Sequence, residues 1–250
     1  FTPQGKYLYE FFIIKNKKGY LLDCDIEFKD DLIKHLLKYK LRSKIEIKDL
    51  SSSHVVGVVS EEKFLDIQNE INSKEKTVIY RDSPFFLDPR NTLLGARVLS
   101  NLEKLHLTIK KLNLKIVEKS NYLKKAHTQG IPNQGIKKLQ NNLFGLESNF
   151  EELNGVDFKK GCYVGQENTA RMKLKNKLRR RLLPIISKNT LKASDEIKYK
   201  ESVVGKILID GKYPFALIKL FDPEFKEFSK QSLKVNKFDV QILAPSKFNI

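Results

Sequence analysis

The sequence predicts an α+β fold: a mixed α/β domain over residues 1–175, then a small β-barrel over residues 176–250. Three observations carry this. Hydrophobic residues make up 40% of a 250-residue chain, enough to bury one large core or two smaller ones. Up to about residue 175, strand-like alternation is mixed with apolar stripes at helical spacing. From about residue 180, short apolar runs are separated by Gly, Pro and Asp, as in a barrel of short strands.

The elements follow in order. Thr2-Pro3-Gln4-Gly5-Lys6 reads as a turn, with Pro presetting the first corner and Gly supplying a positive φ. Residues 7–14 and 20–24 read as two strands joined by a turn at 15–19, a hairpin. Leu32, Ile33, Leu36 and Leu37 recur at helical spacing and predict a helix over 29–40. Short strands are expected at 45–47 and 55–59. Leu105, Leu107 and Ile109 alternate, as do Leu112, Leu114 and Ile116, which reads as strand. A helix over 118–129 should stop at Gly130 and Pro132. Residues 141–165 are irregular, and a loop that long in a compact domain usually carries function. A further helix runs from Gly165 to about Lys173, and barrel strands fall at 203–209, 215–221 and 240–243.

Composition narrows the function. No apolar run reaches the length of a membrane span, and no signal peptide opens the chain. The chain starts at Phe1 and its one methionine is Met172, so the natural N-terminus is expected to lie outside this sequence. Cys24 and Cys162 lie far apart, and His35, His54, His106 and His127 show no ligand spacing. That pattern speaks against a disulfide framework or a zinc site, and no metal is expected on this chain alone. Lone thiols suit a reducing compartment, and the expected location is cytoplasmic. The net charge is +17, but only 8 of the 47 basic residues are arginine, which reads mostly as lysine spread over a solvated surface. One strip is denser: Arg171, Lys173, Lys175, Lys177, Arg179, Arg180 and Arg181.

The chemistry concentrates in Lys160-Gly161-Cys162-Tyr163-Val164-Gly165-Gln166-Glu167. Two glycines flank a thiol on a segment free to take unusual backbone angles. Cys162 should lie just before the positive end of a helix, among Lys159, Lys160 and Arg171, where the nucleophilic, metal-binding thiolate is favoured. Glu167 and Arg171 stand four apart and read first as a helical ion pair. Cys24, inside an apolar strand, reads as packing.

These residues also carry a resemblance. Gly155 through Glu167 resembles the signature of the YgfZ family, relatives of the glycine-cleavage T-protein (GcvT) aminomethyltransferases. The Thr2–Lys6 turn, Asp88-Pro89-Arg90 to Gly95-Ala96-Arg97, Tyr122, Gly130-Ile131-Pro132 and Val204-Gly205-Lys206 fall in matching order, so the resemblance spans nearly the whole chain. It implies a GcvT-like, folate-binding α/β domain followed by a barrel, with the family's first strands ahead of Phe1. It implies an accessory role in maturing iron–sulfur enzymes, particularly four-iron ones, with assembly proteins and client enzymes as partners. Cys162 is then the functional thiol. Tetrahydrofolate is the implied ligand, in a cavity bordered by Thr2, Gln4, Arg97, Tyr122 and Glu147. The family's bacterial link to tRNA thiolation implies tRNA as a further partner, along Arg171, Lys173, Lys175, Arg179, Arg180 and Arg181.

Two departures bear on activity. T-proteins carry two acids where this chain has Tyr9-Glu10, so Glu10 is the one carboxylate left for aminomethyl transfer. If that segment is a strand, Tyr9 and Glu10 face opposite sides. Relatives often show Glu-Ala-Gly where this chain reads Thr128-Gln129-Gly130.

Overall fold

The computed structural model describes residues 1–16, 19–175, 178–248 and 250; Lys17 and Lys18 of the expected hairpin turn and Lys177 of the basic strip lie outside them. The chain forms two compact units, Phe11–Tyr122, and Phe1–Glu10 together with Leu123–Ile250.

The unit Phe11–Tyr122 opens with the hairpin β1 (Phe11–Asn16) and β2 (Gly19–Cys24), registered with Phe11 opposite Cys24. Helix α1 (Lys29–Lys40) sits where its spacing predicted, with Asp30 and Asp31 in its first turn and Lys38 and Lys40 in its last, complementing the helix dipole. β3 (His54–Val59), α2 (Glu61–Glu70), β4 (Thr77–Tyr80), β5 (Ser83–Leu87) and β6 (Ala96–Asn101) follow. The four strands form an antiparallel sheet in the order β3-β6-β5-β4. On one face Phe64 and Ile67 of α2 pack with Val78, Tyr80, Phe85, Ala96 and Val98. On the other, Phe86 and Leu99 pack against Ile14 of the hairpin. Each fully buried Ile or Phe side chain among them contributes about 1.5–3 kcal/mol.

Four expectations fail here. Leu105, Leu107 and Ile109 lie on a helix, α3 (Leu102–Lys111), not a strand. Its start is set by Asn101, whose side chain accepts from the Lys104 N–H at 2.8 Å. Leu105 and Leu112 pack on the sheet's helix-side core while Leu107 is exposed, so the helical period wins over the apparent alternation. Residues 112–116 and 45–47 form no strand. The first strand begins at Phe11, four residues later than expected, leaving Tyr9 and Glu10 outside it.

In the other unit the Thr2–Lys6 turn is closed by Gly5 N–H to Thr2 O at 2.8 Å and Thr2 N–H to Lys6 O at 3.0 Å. α4 (Lys119–Thr128), shared across the division, ends at Gly130, which adopts φ +72°. After the irregular stretch, α5 (Gln166–Leu174) leads to six strands. These are β7 (Arg180–Ser187), β8 (Glu196–Tyr199), β9 (Ser202–Ile209), β10 (Phe215–Lys219), β11 (Leu233–Val235) and β12 (Phe238–Ile242). They close a barrel in the order β10-β7-β12-β11-β8-β9. Leu183, Ile197, Val204, Ile207 and Val240 are among its buried side chains, and closure leaves no free edge.

Candidate functional site

The cysteine loop is anchored from Tyr163 onward. Gly165 caps α5 from the left-handed region, φ +84°, which a side chain would resist. Thr169 ties down the helix's first turn, donating from Oγ1 to the Gly165 carbonyl at 2.9 Å. On the other side, the Tyr163 ring lies 6.1 Å from the Phe1 ring, Phe1 lies 5.6 Å from Phe150, and Phe150 lies 5.4 Å from the fully buried Tyr7. Lys160 Nζ stands 4.5 Å over the outer part of this row, above Tyr163. Burial pushes the Tyr163 hydroxyl above its usual pKa, and Asp157 adds to the effect.

On this anchored base Cys162 is exposed, and nothing lies within 4 Å of a side chain built at Gly161. The arrangement presents a thiol to solvent, with Lys159 and Lys160 just before it and a helix N-terminus three residues after. Gln166 and Glu167 open α5, and Glu167 pairs with Arg171 at 2.8 Å on the solvent side, the ion pair their spacing predicted. Cys24 is the opposite case. It is half-buried on β2, and burial pushes its thiol up in pKa, reinforced by Asp23, Asp25 and Asp49.

The residues expected around a folate are each engaged inside their own unit. Thr2 Oγ1 accepts from the Lys6 N–H at 3.1 Å, and the Gln4 carbonyl accepts from Asn168 Nδ2 at 2.9 Å. Glu147 is buried, with its carboxylate taken by the Phe144 N–H at 2.9 Å and Arg180 Nε at 2.8 Å. In the other unit Arg97 grips Asp23 at 2.6 Å and donates to the Tyr122 hydroxyl at 3.2 Å. Arg90, paired with Asp88 at 2.8 Å, lies with Arg97 beside the Phe12 ring, both guanidinium carbons within 4.8 Å of its centre. Thr128 turns its hydroxyl to the Lys125 carbonyl at 2.8 Å. Within this set the Glu147 carboxylate is therefore spent on the fold.

Four cations of the basic strip are held in pairs. Arg171 and Lys173 pair with Glu167 and Glu151. Arg180 pairs with Glu147, and the buried Arg181 with Glu152 at 2.6 Å and Asn149 at 3.2 Å. Arg180 and Arg181 fasten β7 to the irregular stretch rather than lining an open phosphate track. Phe1, Phe150, Asn168 and Thr169 support the cysteine loop without any mark in the sequence: no spacing rule links residue 5 to residue 165.

Among the described residues no helix is long and apolar enough to cross a membrane. No family model matches the chain. It is 30% identical over 261 residues to a protein of Neurospora crassa named "Iron-sulfur cluster assembly factor IBA57 homolog, mitochondrial", covering 95% of this chain and 54% of that one. A Dictyostelium discoideum protein of the same name is 32% identical over 170 residues, covering 67% of this chain and 41% of its own. The human "Iron-sulfur cluster assembly factor IBA57, mitochondrial" is 30% identical over 190 residues, covering 73% and 51%. The chain thus spans about half the length of the curated relatives it matches. All three names place those proteins in the mitochondrion, which overturns the cytoplasmic expectation drawn from lone thiols: a reducing compartment is not the cytoplasm alone. Among solved structures, the glycine cleavage system aminomethyltransferase T from Bartonella henselae superposes with a TM-score of 0.66 at 8% identity, over 99% of this chain and 74% of that one. The chain therefore has the aminomethyltransferase T fold and is similar over most of its length to proteins named iron–sulfur cluster assembly factors.

Proposed function

We propose that this chain is an accessory protein of iron–sulfur cluster assembly, acting in the mitochondrion, with Cys162 as its working thiol. The observation that carries this is an exposed cysteine on a loop held by packing and backbone contacts, in a chain similar to proteins named for that role. A thiolate is the natural ligand for iron in a cluster. No three His, Cys, Asp or Glu side chains converge among the described residues, so a cluster handled at Cys162 is cargo that shares its other ligands with a partner. The partners are then assembly proteins that hand over a cluster and client enzymes that receive one, four-iron enzymes in particular. Arg171, Lys173, Arg180 and Arg181 of the basic strip are already held in internal pairs, which does not favour tRNA.

The fold supports a second reading, a folate-dependent aminomethyl transferase. Fold alone does not carry activity. That reaction needs a base or charge stabiliser at the reacting nitrogen, and Glu10 is the acid that the resemblance puts forward for it. Cells lacking their own assembly factor separate the readings. The chain should restore growth, Cys162→Ala should not, and Glu10→Gln should behave as the parent. Aminomethyl transfer in a reconstituted glycine-cleavage assay, abolished by Glu10→Gln, would overturn the proposal.

A further inference from the structure

We propose that the Thr2–Lys6 turn is a clamp that positions Cys162, with Gly5, Gly165 and Asn168 as positioning residues. The turn and the cysteine loop meet backbone to backbone. A Cβ built on Gly165 would stand 2.5 Å from the Thr2 carbonyl oxygen and 3.0 Å from Gly5 Cα. A Cβ built on Gly5 would stand 3.1 Å from the Gly165 carbonyl oxygen and 3.3 Å from the Asn168 Cβ. Both glycines hold positive φ, +77° and +84°, so each position selects glycine twice, for conformation and for space. Asn168 then bolts the contact, donating from Nδ2 to the Gln4 carbonyl at 2.9 Å. The turn does not give way when pressed, because the Gly5 carbonyl also accepts from the Gly145 N–H at 3.2 Å and the turn carries its own two hydrogen bonds. Gly165 lies three residues from Cys162, and Tyr163 between them is packed against Phe1. The thiol is thus exposed, next to a segment that is anchored from Tyr163 onward. The turn holds the segment that presents the thiol.

The functional consequence rests on the assembly reading, because an exposed thiol next to an anchored segment meets a partner's cluster in a narrowed range of geometries. The clamp itself is tested without that reading. In a Cys24→Ser background, a nitroxide attached to Cys162 reports loop motion on the nanosecond scale, and Gly5→Ala should shorten its correlation time about threefold. Gly211→Ala is the control: φ is +90° there too, but nothing lies within 4 Å, so it carries the same backbone strain away from the loop. It should leave the label unchanged. Should Gly5→Ala fail to fold, Asn168→Ala removes the bolt alone and should loosen the label in the same direction by a smaller factor. Label mobility equal to the parent's in folded Gly5→Ala, or in Asn168→Ala where Gly5→Ala does not fold, overturns the clamp. Loosening in Gly5→Ala with full growth of cells carrying Cys162→Ala leaves the clamp standing and removes the assembly role instead.

Discussion

At the residue scale the two cysteines divide sharply. Cys162 is exposed, whereas Cys24 is half-buried, and burial with three neighbouring aspartates works against its thiolate. Iodoacetamide at neutral pH should therefore mark Cys162 first, and labelling at Cys24 should lag until the pH is raised well into the alkaline range. Peptide mass spectrometry reads the order directly. Prior labelling of Cys24 would contradict this placement. The cysteine motif was fully legible in the sequence, because glycine, thiol and lysine are chemical signals in themselves. Arg97 was legible as important but not in its role. It holds the buried Asp23, and removing it strands that carboxylate. Arg97→Ala should cost about 3–5 kcal/mol in urea unfolding, as for one half of a buried pair.

At the element scale the hairpin, α1, α4, α5 and the barrel strands β9, β10 and β12 follow from period and turn residues, whereas β7, β8 and β11 were not legible. The exceptions are physical. Leu105-His106-Leu107-Thr108-Ile109 satisfies both periods, and the Asn101 cap with packing of Leu105 and Leu112 decides for helix. Residues 45–47 alternate but find no partner strand, and Ile45 stays exposed. α2 announces itself only through Ser60, whose hydroxyl accepts from the Lys63 N–H at 3.3 Å, and through the pair Phe64 and Ile67. Glu147 ties the irregular stretch to β7 through Arg180 and caps Phe144. Glu147→Gln weakens a charge-assisted bond to a buried group and should cost roughly 1–3 kcal/mol, read from the urea midpoint. Glu167→Gln breaks an exposed pair that solvent already screens, so stability should barely move.

At the scale of the whole molecule, pH and function remain. His127 is buried against Tyr213 and Phe215, with Nε2 donating to the Pro214 carbonyl at 3.0 Å. Burial lowers its pKa, and the hydrogen bond to Pro214 only partly opposes this. Its folded pKa thus lies below the unfolded value of about 6.5, so protonation favours the unfolded chain. Its contribution to stability is whole above about pH 6.5 and is lost as pH falls toward the folded value. Between pH 7 and pH 5 the melting temperature should fall more steeply for the parent than for His127→Gln, and equal slopes would contradict this.

The role assigned to Cys162 is tested most directly by enzyme activities in cells lacking their own assembly factor and supplied with this chain in the mitochondrion. Four-iron enzymes should regain activity with the parent chain and stay inactive with Cys162→Ala, while two-iron enzymes should be unaffected by either. Equal restoration of four-iron enzymes by Cys162→Ala, with the protein present at parental levels, would contradict it.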